Sequence, residues 1–252
     1  MNSPMKKPAI VLITILASFL FVFAAASNGS HTRYFAASSS VSPNDSVNTT
    51  GSSTDNTESS AALYSELNLE KAGLNQDIFT SALKGMQKLE AITKKDIITI
   101  IDFSQPSNQK RLYVVDLKNK EILFNTFVAH GRNTGTLWAK SFSNENSSLK
   151  SSPGFYATAE TYMGDNGYSL RLDGLEKNIN DHARARAVVM HGAPYASESA
   201  VQSLGFLGRS WGCPAVPMSL HTEIINTIKD GSCLFIYSPE KSYQERSTIL
   251  NS

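Results

Sequence analysis

The first block in the hydropathy pattern is Ala9 through Phe23, an uncharged and mostly apolar run. It falls short of the roughly 20 residues that cross a bilayer comfortably. Lys6 and Lys7 precede it, and Ala24, Ala25 and Ala26 follow it with an A-x-A pattern. That layout is a secretory signal, so residues 1–26 are expected to be removed on export. Periodicity then disappears. Residues 27–60 are rich in Ser, Thr, Asn and Asp and cannot bury enough apolar area to offset chain entropy, which predicts a disordered tether. Helical spacing begins at Ala61. Leu63, Leu67 and Leu69 sit among good helix formers up to Ala72, and Gly73 is placed to cap the end. A second helix is predicted from about Asn75, where Ile78, Phe79, Leu83, Met86 and Leu89 share a face. Gly85 within it costs up to about 1 kcal/mol. Residues 61–95 therefore read as an N-terminal helical segment packed on a core.

From Asp96 the period changes to two. "DIITIIDFS", "RLYVVDL" and "EILFNTFVAHG" are β-branched and aromatic runs, and "KNK" between the last two predicts a hairpin. Further strands are expected at "GFYATAETYM", "YSLRLDG", "RAVVMHG" and "CLFIYS". Short strands separated by turn signals, with no alternating βαβ pattern, predict a mainly β domain over 96–252, a sandwich or barrel with short helices.

Composition narrows the function. The 252 residues carry 23 Lys and Arg against 22 Asp and Glu, a net charge of +1. Nucleic-acid binding needs a surplus of basic side chains on one face, so a nucleic-acid partner is not expected. An exported chain with two cysteines would ordinarily form a disulfide. Here Cys233 lies in an apolar strand and Cys213 in a glycine-flanked turn, so two free thiols are expected instead. The histidines and cysteines lack zinc-site spacing, and H-E-x-x-H, G-x-G-x-x-G and P-loop patterns do not occur. No metal or other cofactor is expected, and no membrane span is expected once the signal is removed.

The strongest chemical signal is "GRSWGCPAVP", Gly208 to Pro217. Glycine permits unusual backbone angles and proline fixes its own, so Cys213 sits in a restricted turn. The N–H groups of Gly212 and Cys213, with the Ser210 hydroxyl, are candidate oxyanion donors, each worth about 3 kcal/mol when well placed. The second signal is "RAVVMHGA", in which His191 closes an apolar strand and Gly192 follows. Read singly, each segment also has a structural explanation: a buried cysteine in a proline turn, and a histidine at a strand end. Their separation of 22 residues, through a loop of small and polar residues, lets the strand-end His return beside the turn Cys. An adjacent imidazole can take the thiol proton to make the nucleophile. A carbonyl at Gly192 or beside it can fix the tautomer in place of the carboxylate of other triads.

These residues also carry a resemblance. "HGA" and "RSWGCPAV", with "AHGRNTG", "FSN", "SSPGFY" and "GYSLRLDGL" upstream, are similar to the L,D-transpeptidase (YkuD-type) catalytic domain family, in its branch with proline after the cysteine. The likeness runs from about Asp96 to Pro239. It implies a β-rich domain, Cys213 as nucleophile, His191 as base, peptidoglycan stem peptides as substrate, a thioester intermediate and susceptibility to carbapenems. Two positions depart from the commoner pattern. Trp211 stands where many members have His, and Pro214 with Ala215 replaces an apolar residue and an Arg that contacts the acyl donor. Arg209, Arg171 and Arg132 are the candidates to supply such a grip, since a guanidinium binds a carboxylate bidentately. Trp211 is expected to wall the pocket, His130 to pack its loop, and His182 and His221 to lie on the surface.

Three functions follow for an exported protein of the periplasm or cell-wall space. One is an acyltransferase that releases D-alanine from tetrapeptide stems through a Cys213 thioester. Another is a cysteine carboxypeptidase that passes the same acyl group to water. The last is a wall-binding module with an inert cysteine. Sequence sets neither the acyl acceptor nor the oligomeric state.

Overall fold

A computed structural model of the chain describes residues 53–252. The expected signal segment 1–26, and residues 27–52 of the stretch expected to be a tether, lie outside the described residues. Helix α1 (Ser53–Glu66) starts earlier than Ala61, inside the stretch read as tether. One reason is visible at Ser60, which is buried with its hydroxyl 3.3 Å from that of Thr80, so packing extends the helix toward its N-terminus. A left-handed Asn68 separates α1 from the short α2 (Leu69–Ala72), and Gly73 at φ 90° caps it. Helix α3 (Gln76–Gln87) begins as expected: the Asn75 side chain accepts the N–H groups of Asp77 and Ile78.

Eight strands follow: β1 (Lys94–Asp102), β2 (Leu112–Asp116), β3 (Glu121–Thr126), β4 (Gly154–Gly164), β5 (Gly167–Gly174), β6 (Val189–Ala193), β7 (Ala215–Pro217) and β8 (Ser232–Tyr237). They form one mixed sheet in the order β3-β2-β1-β8-β4-β5-β6-β7. The β2–β3 hairpin is antiparallel, and Asp116 holds its turn by accepting the N–H groups of Lys118 and Asn119. Two pairings, β1 with β8 and β6 with β7, are parallel. The sheet curls until its edges nearly meet: Ala129, just past β3, bridges Ala215 of β7, and Gly131 bridges Ser210. Of the two architectures the sequence left open, the chain adopts the barrel-like one.

The alternation predicted for the strands puts the two larger clusters of the core on opposite faces of the sheet. Ile98 and Ile100 of β1, Phe155 of β4 and Phe235 of β8 face the N-terminal helices. Ile101, Tyr156, Leu234 and Ile236 from the same strands face the interior. That interior is plugged by the helix His221–Ile228 through Ile224, Ile225 and Ile228. Covered on both sides, β1 and β8 are buried along nearly continuous stretches.

Gly85 explains its own presence in α3. Phe155 and Phe235 stack with centroids 4.2 Å apart, and a β-carbon on Gly85 would run into the Phe155 ring. Helix propensity alone favours Gly85→Ala by up to about 1 kcal/mol, whereas overpacking costs about 1–3 kcal/mol. The clash is with a ring already pinned by its stacking partner, so Gly85→Ala is expected to destabilise the protein. Thermal denaturation reads the sign directly; a raised midpoint would refute the packing account.

Candidate active site

The segment from Ser210 to Cys213 is held at the seam where the curled sheet nearly closes. Ser210 N–H donates to the His130 carbonyl, and Arg132 N–H donates back to the Ser210 carbonyl. Gly212 adopts φ 129°, a region that L side chains avoid. A β-carbon there would lie 2.8 Å from the Lys150 carbonyl oxygen. Gly131 approaches equally closely, since its β-carbon would stand 3.0 Å from the Gly212 Cα. The glycines therefore serve backbone-to-backbone contact around the cysteine.

Inside this turn the Ser210 hydroxyl donates to the Cys213 carbonyl at 2.6 Å and accepts the Gly212 N–H at 3.1 Å. Both residues named as oxyanion candidates are thus engaged in shaping the turn. Pro214 has no N–H. Of the three donors named for an oxyanion, Cys213 N–H, which lies beside its own sulfur, is the one not engaged in shaping the turn.

Both thiols are free; Cys233 is buried and Cys213 partly exposed. The Cys213 Sγ accepts the Val189 N–H at 3.5 Å and donates to the Ala187 carbonyl at 3.7 Å. Pairing of β7 with β6 starts one step later, at His191 with Ala215. The sulfur thus occupies a place along β6 that a strand acceptor would otherwise take. Ala187 lies at φ 53°, a left-handed angle that non-glycine residues pay for, and its carbonyl is the one that meets the thiol. Burial pushes the Cys213 thiol up, against the lowering effects of the Val189 N–H, Arg186 and its own backbone.

His191 stands two residues beyond Val189 on β6, buried, with Nδ1 3.0 Å from the Gly192 carbonyl. A carbonyl only accepts, so Nδ1 carries the proton and Nε2 keeps its lone pair. Burial holds His191 below the ordinary imidazole value; the Gly192 contact opposes this and His221 adds to it. No hydrogen bond joins the imidazole to the sulfur among the described residues. Gly192 admits a close neighbour, because a β-carbon on it would be 2.7 Å from the His221 ring. His221 is therefore part of the His191 surroundings, which its position in the sequence did not suggest.

The four residues expected to bind substrate separate into two groups. Arg132, Arg209 and Trp211 line one groove of about 330 Å³ with Leu204, Phe206 and Gly208. Trp211 is 76% exposed, the Arg209 guanidinium lies 6.0 Å from the Phe206 ring centroid, and neither arginine has a carboxylate partner among the described residues. Arg171 lies elsewhere. It pairs with Val189 from the β5 side, across β6 from Cys213, and its guanidinium is engaged by Glu160 at 3.1 Å and by the Tyr162 ring at 4.3 Å. Its charge is already compensated.

Two arginines escaped sequence reading. Arg186 reaches under the Cys213 turn, and nothing in "RARAVV" distinguished it from its neighbours. Arg111 is fully buried. It donates to the Val128 and Gln105 carbonyls and to His130 Nδ1 at 2.7 Å, over the Phe103 ring. His130 in turn donates from Nε2 to the Gly135 carbonyl, and burial together with Arg111 lowers it to about 3. It is a neutral strut for its loop, as its sequence context suggested.

Residues 70–237 match the family model described as the L,D-transpeptidase catalytic domain. Among solved structures, an L,D-transpeptidase from Mycobacterium smegmatis aligns at 12% identity over 57% of this chain and 59% of that one, with a TM-score of 0.37. L,D-transpeptidase 3 from Mycobacterium tuberculosis aligns at 12% identity over 57% and 61%, with a TM-score of 0.36. The chain spans less than two thirds of the length of these structures. No curated protein matches it.

Proposed function

Because the chain belongs to the L,D-transpeptidase catalytic domain family, we propose that it is a cysteine acyltransferase of peptidoglycan tetrapeptide stems. The observation that carries this reading is the arrangement on β6: one strand holds the Cys213 sulfur at its Val189 amide and, two residues on, a neutral His191 with an available Nε2.

The thiol proton passes to His191 Nε2, and the sulfur attacks the carbonyl on the L-centre of the diamino-acid residue. Cys213 N–H donates to the oxygen as it gains charge. Collapse breaks the amide bond, the leaving amine takes the proton from His191, and D-alanine departs. The thioester is then resolved by an amine of another stem. If water takes that role, the same chain is a carboxypeptidase. Export by cleavage of residues 1–26 and a tether beyond it would place the domain in the wall space.

In this reading Arg132 and Arg209 grip stem carboxylates, with Trp211 and Phe206 as the groove's apolar walls. A charge-assisted pair is worth about 1.5–3 kcal/mol. The double variant Arg132→Ala with Arg209→Ala is therefore expected to raise KM at least about tenfold. Unchanged KM would remove the groove from the binding site.

The function itself is tested by incubating the protein with a tetrapeptide muropeptide, with and without an amine acceptor. D-alanine release with an amine adduct supports the transferase; release without any adduct assigns a hydrolase. No release, together with no mass gain on exposure to a carbapenem, would leave only a non-catalytic wall-binding role.

A further inference from the structure

Arg186 is half-buried beside the nucleophile and is tied to one segment of chain. Its Nη1 donates to the Ser143 carbonyl at 2.8 Å and to the Ser152 hydroxyl at 2.6 Å. Its Nη2 donates to the Lys150 carbonyl at 2.7 Å and to the Ser148 hydroxyl at 3.2 Å. The same Nη2 lies 3.6 Å from the position a Gly212 β-carbon would take. Every one of these acceptors is neutral. Arg186 makes no salt bridge among the described residues, and its Nε is buried without a partner. Holding a guanidinium in a partly desolvated place is costly when nothing neutralises it. A clamp on carbonyls and hydroxyls needs only donors, which a neutral amide would supply.

We propose that Arg186 is the positioning residue whose positive charge holds the Cys213 thiolate while its hydrogen bonds fasten the 143–152 segment beneath the nucleophile turn. This rests on Cys213 being the nucleophile. The sulfur is held by the Val189 N–H and the Ala187 carbonyl, and Arg186, next to Ala187 in the same short stretch entering β6, brings its Nη2 within 3.6 Å of where a β-carbon on Gly212, the neighbour of Cys213, would stand. Other groups facing the pair are Glu145 and Tyr156 toward Arg186 and Tyr195 toward Cys213, with His221 facing His191. Arg186 is the permanent cation in this set.

The test reads the sulfur without any substrate. Iodoacetamide alkylates a thiolate, the sulfur displacing iodide after its proton has gone to solvent, so the rate against pH reports ionisation. Intact mass and peptide mapping separate Cys213 from the buried Cys233. Arg186→Gln is expected to move the midpoint upward by at least about one pH unit, which lowers the rate at pH 7 about tenfold. Arg186→Lys is expected to retain the wild-type midpoint. A wild-type midpoint in folded Arg186→Gln overturns the proposal and leaves a clamp. So does an upward shift in Arg186→Lys, which decides alone if the Gln variant does not fold. If the wild type alkylates as expected but transfers no acyl group, the proposed function fails and this inference stands.

Discussion

Replacing Cys213 with alanine is expected to abolish D-alanine release and the carbapenem adduct together, a loss on the order of 10⁴-fold or more. The sulfur's hydrogen bonds among the described residues are two weak ones, with Val189 N–H and the Ala187 carbonyl, and the residue is partly exposed. Its removal should therefore change stability by no more than about 1 kcal/mol. The pairing of a full loss of activity with an unchanged thermal midpoint separates loss of the nucleophile from loss of the fold. Cys233 provides the control: it is buried in β8 among apolar side chains, and a modest substitution there should alter stability and spare turnover. Residual turnover in Cys213→Ala near the wild-type rate would end the thioester account.

The second large effect is expected from His191→Gln, with kcat reduced about 10²- to 10⁴-fold. Glutamine can still donate to the Gly192 carbonyl and fill the space, but it cannot take a proton. The pH profile carries the sharper information. In the wild type the base is active once its imidazole is neutral, and burial holds His191 below its ordinary value near 6.5. Activity should accordingly rise with pH along a limb centred below that value and be flat through neutrality. In the variant the only route is direct ionisation of the thiol, which burial pushes above its ordinary value. The limb should therefore move to the alkaline side, with partial recovery of rate there. A variant whose limb stays where the wild type has it would show that His191 is not the base.

The local backbone around Cys213 and His191 was legible in the sequence. "GRSWGCPAVP" announces a strained turn because glycine and proline have few uses in that combination, and "VVMHGA" announces a strand end. Fixing the tautomer through Gly192 needed only the residue next in sequence. What escaped was set by contacts between distant segments. Strand β7 is three residues long, too short for any period, and exists because β6 supplies a parallel partner. The contact between Ser210 and Gly212 is local: a hydroxyl two residues from an amide closes on it. Arg186 and Arg111 look like any surface arginine until the 143–152 segment and the loop of His130 fold over them. Gly85 looked like a tolerated defect, and only the approach of α3 to Phe155 gives it a purpose.

The near-closure of the sheet has a consequence for how occupancy and melting are linked. Arg132 follows β3 and Arg209 precedes β7, so the two arginines stand on opposite lips of the seam that Gly131 and Ser210 bridge. A ligand held by both would staple the first and last strands of the barrel. Binding free energy then adds to the cohesion of the whole sheet, and a muropeptide would protect the protein against heat before any bond in it is cut.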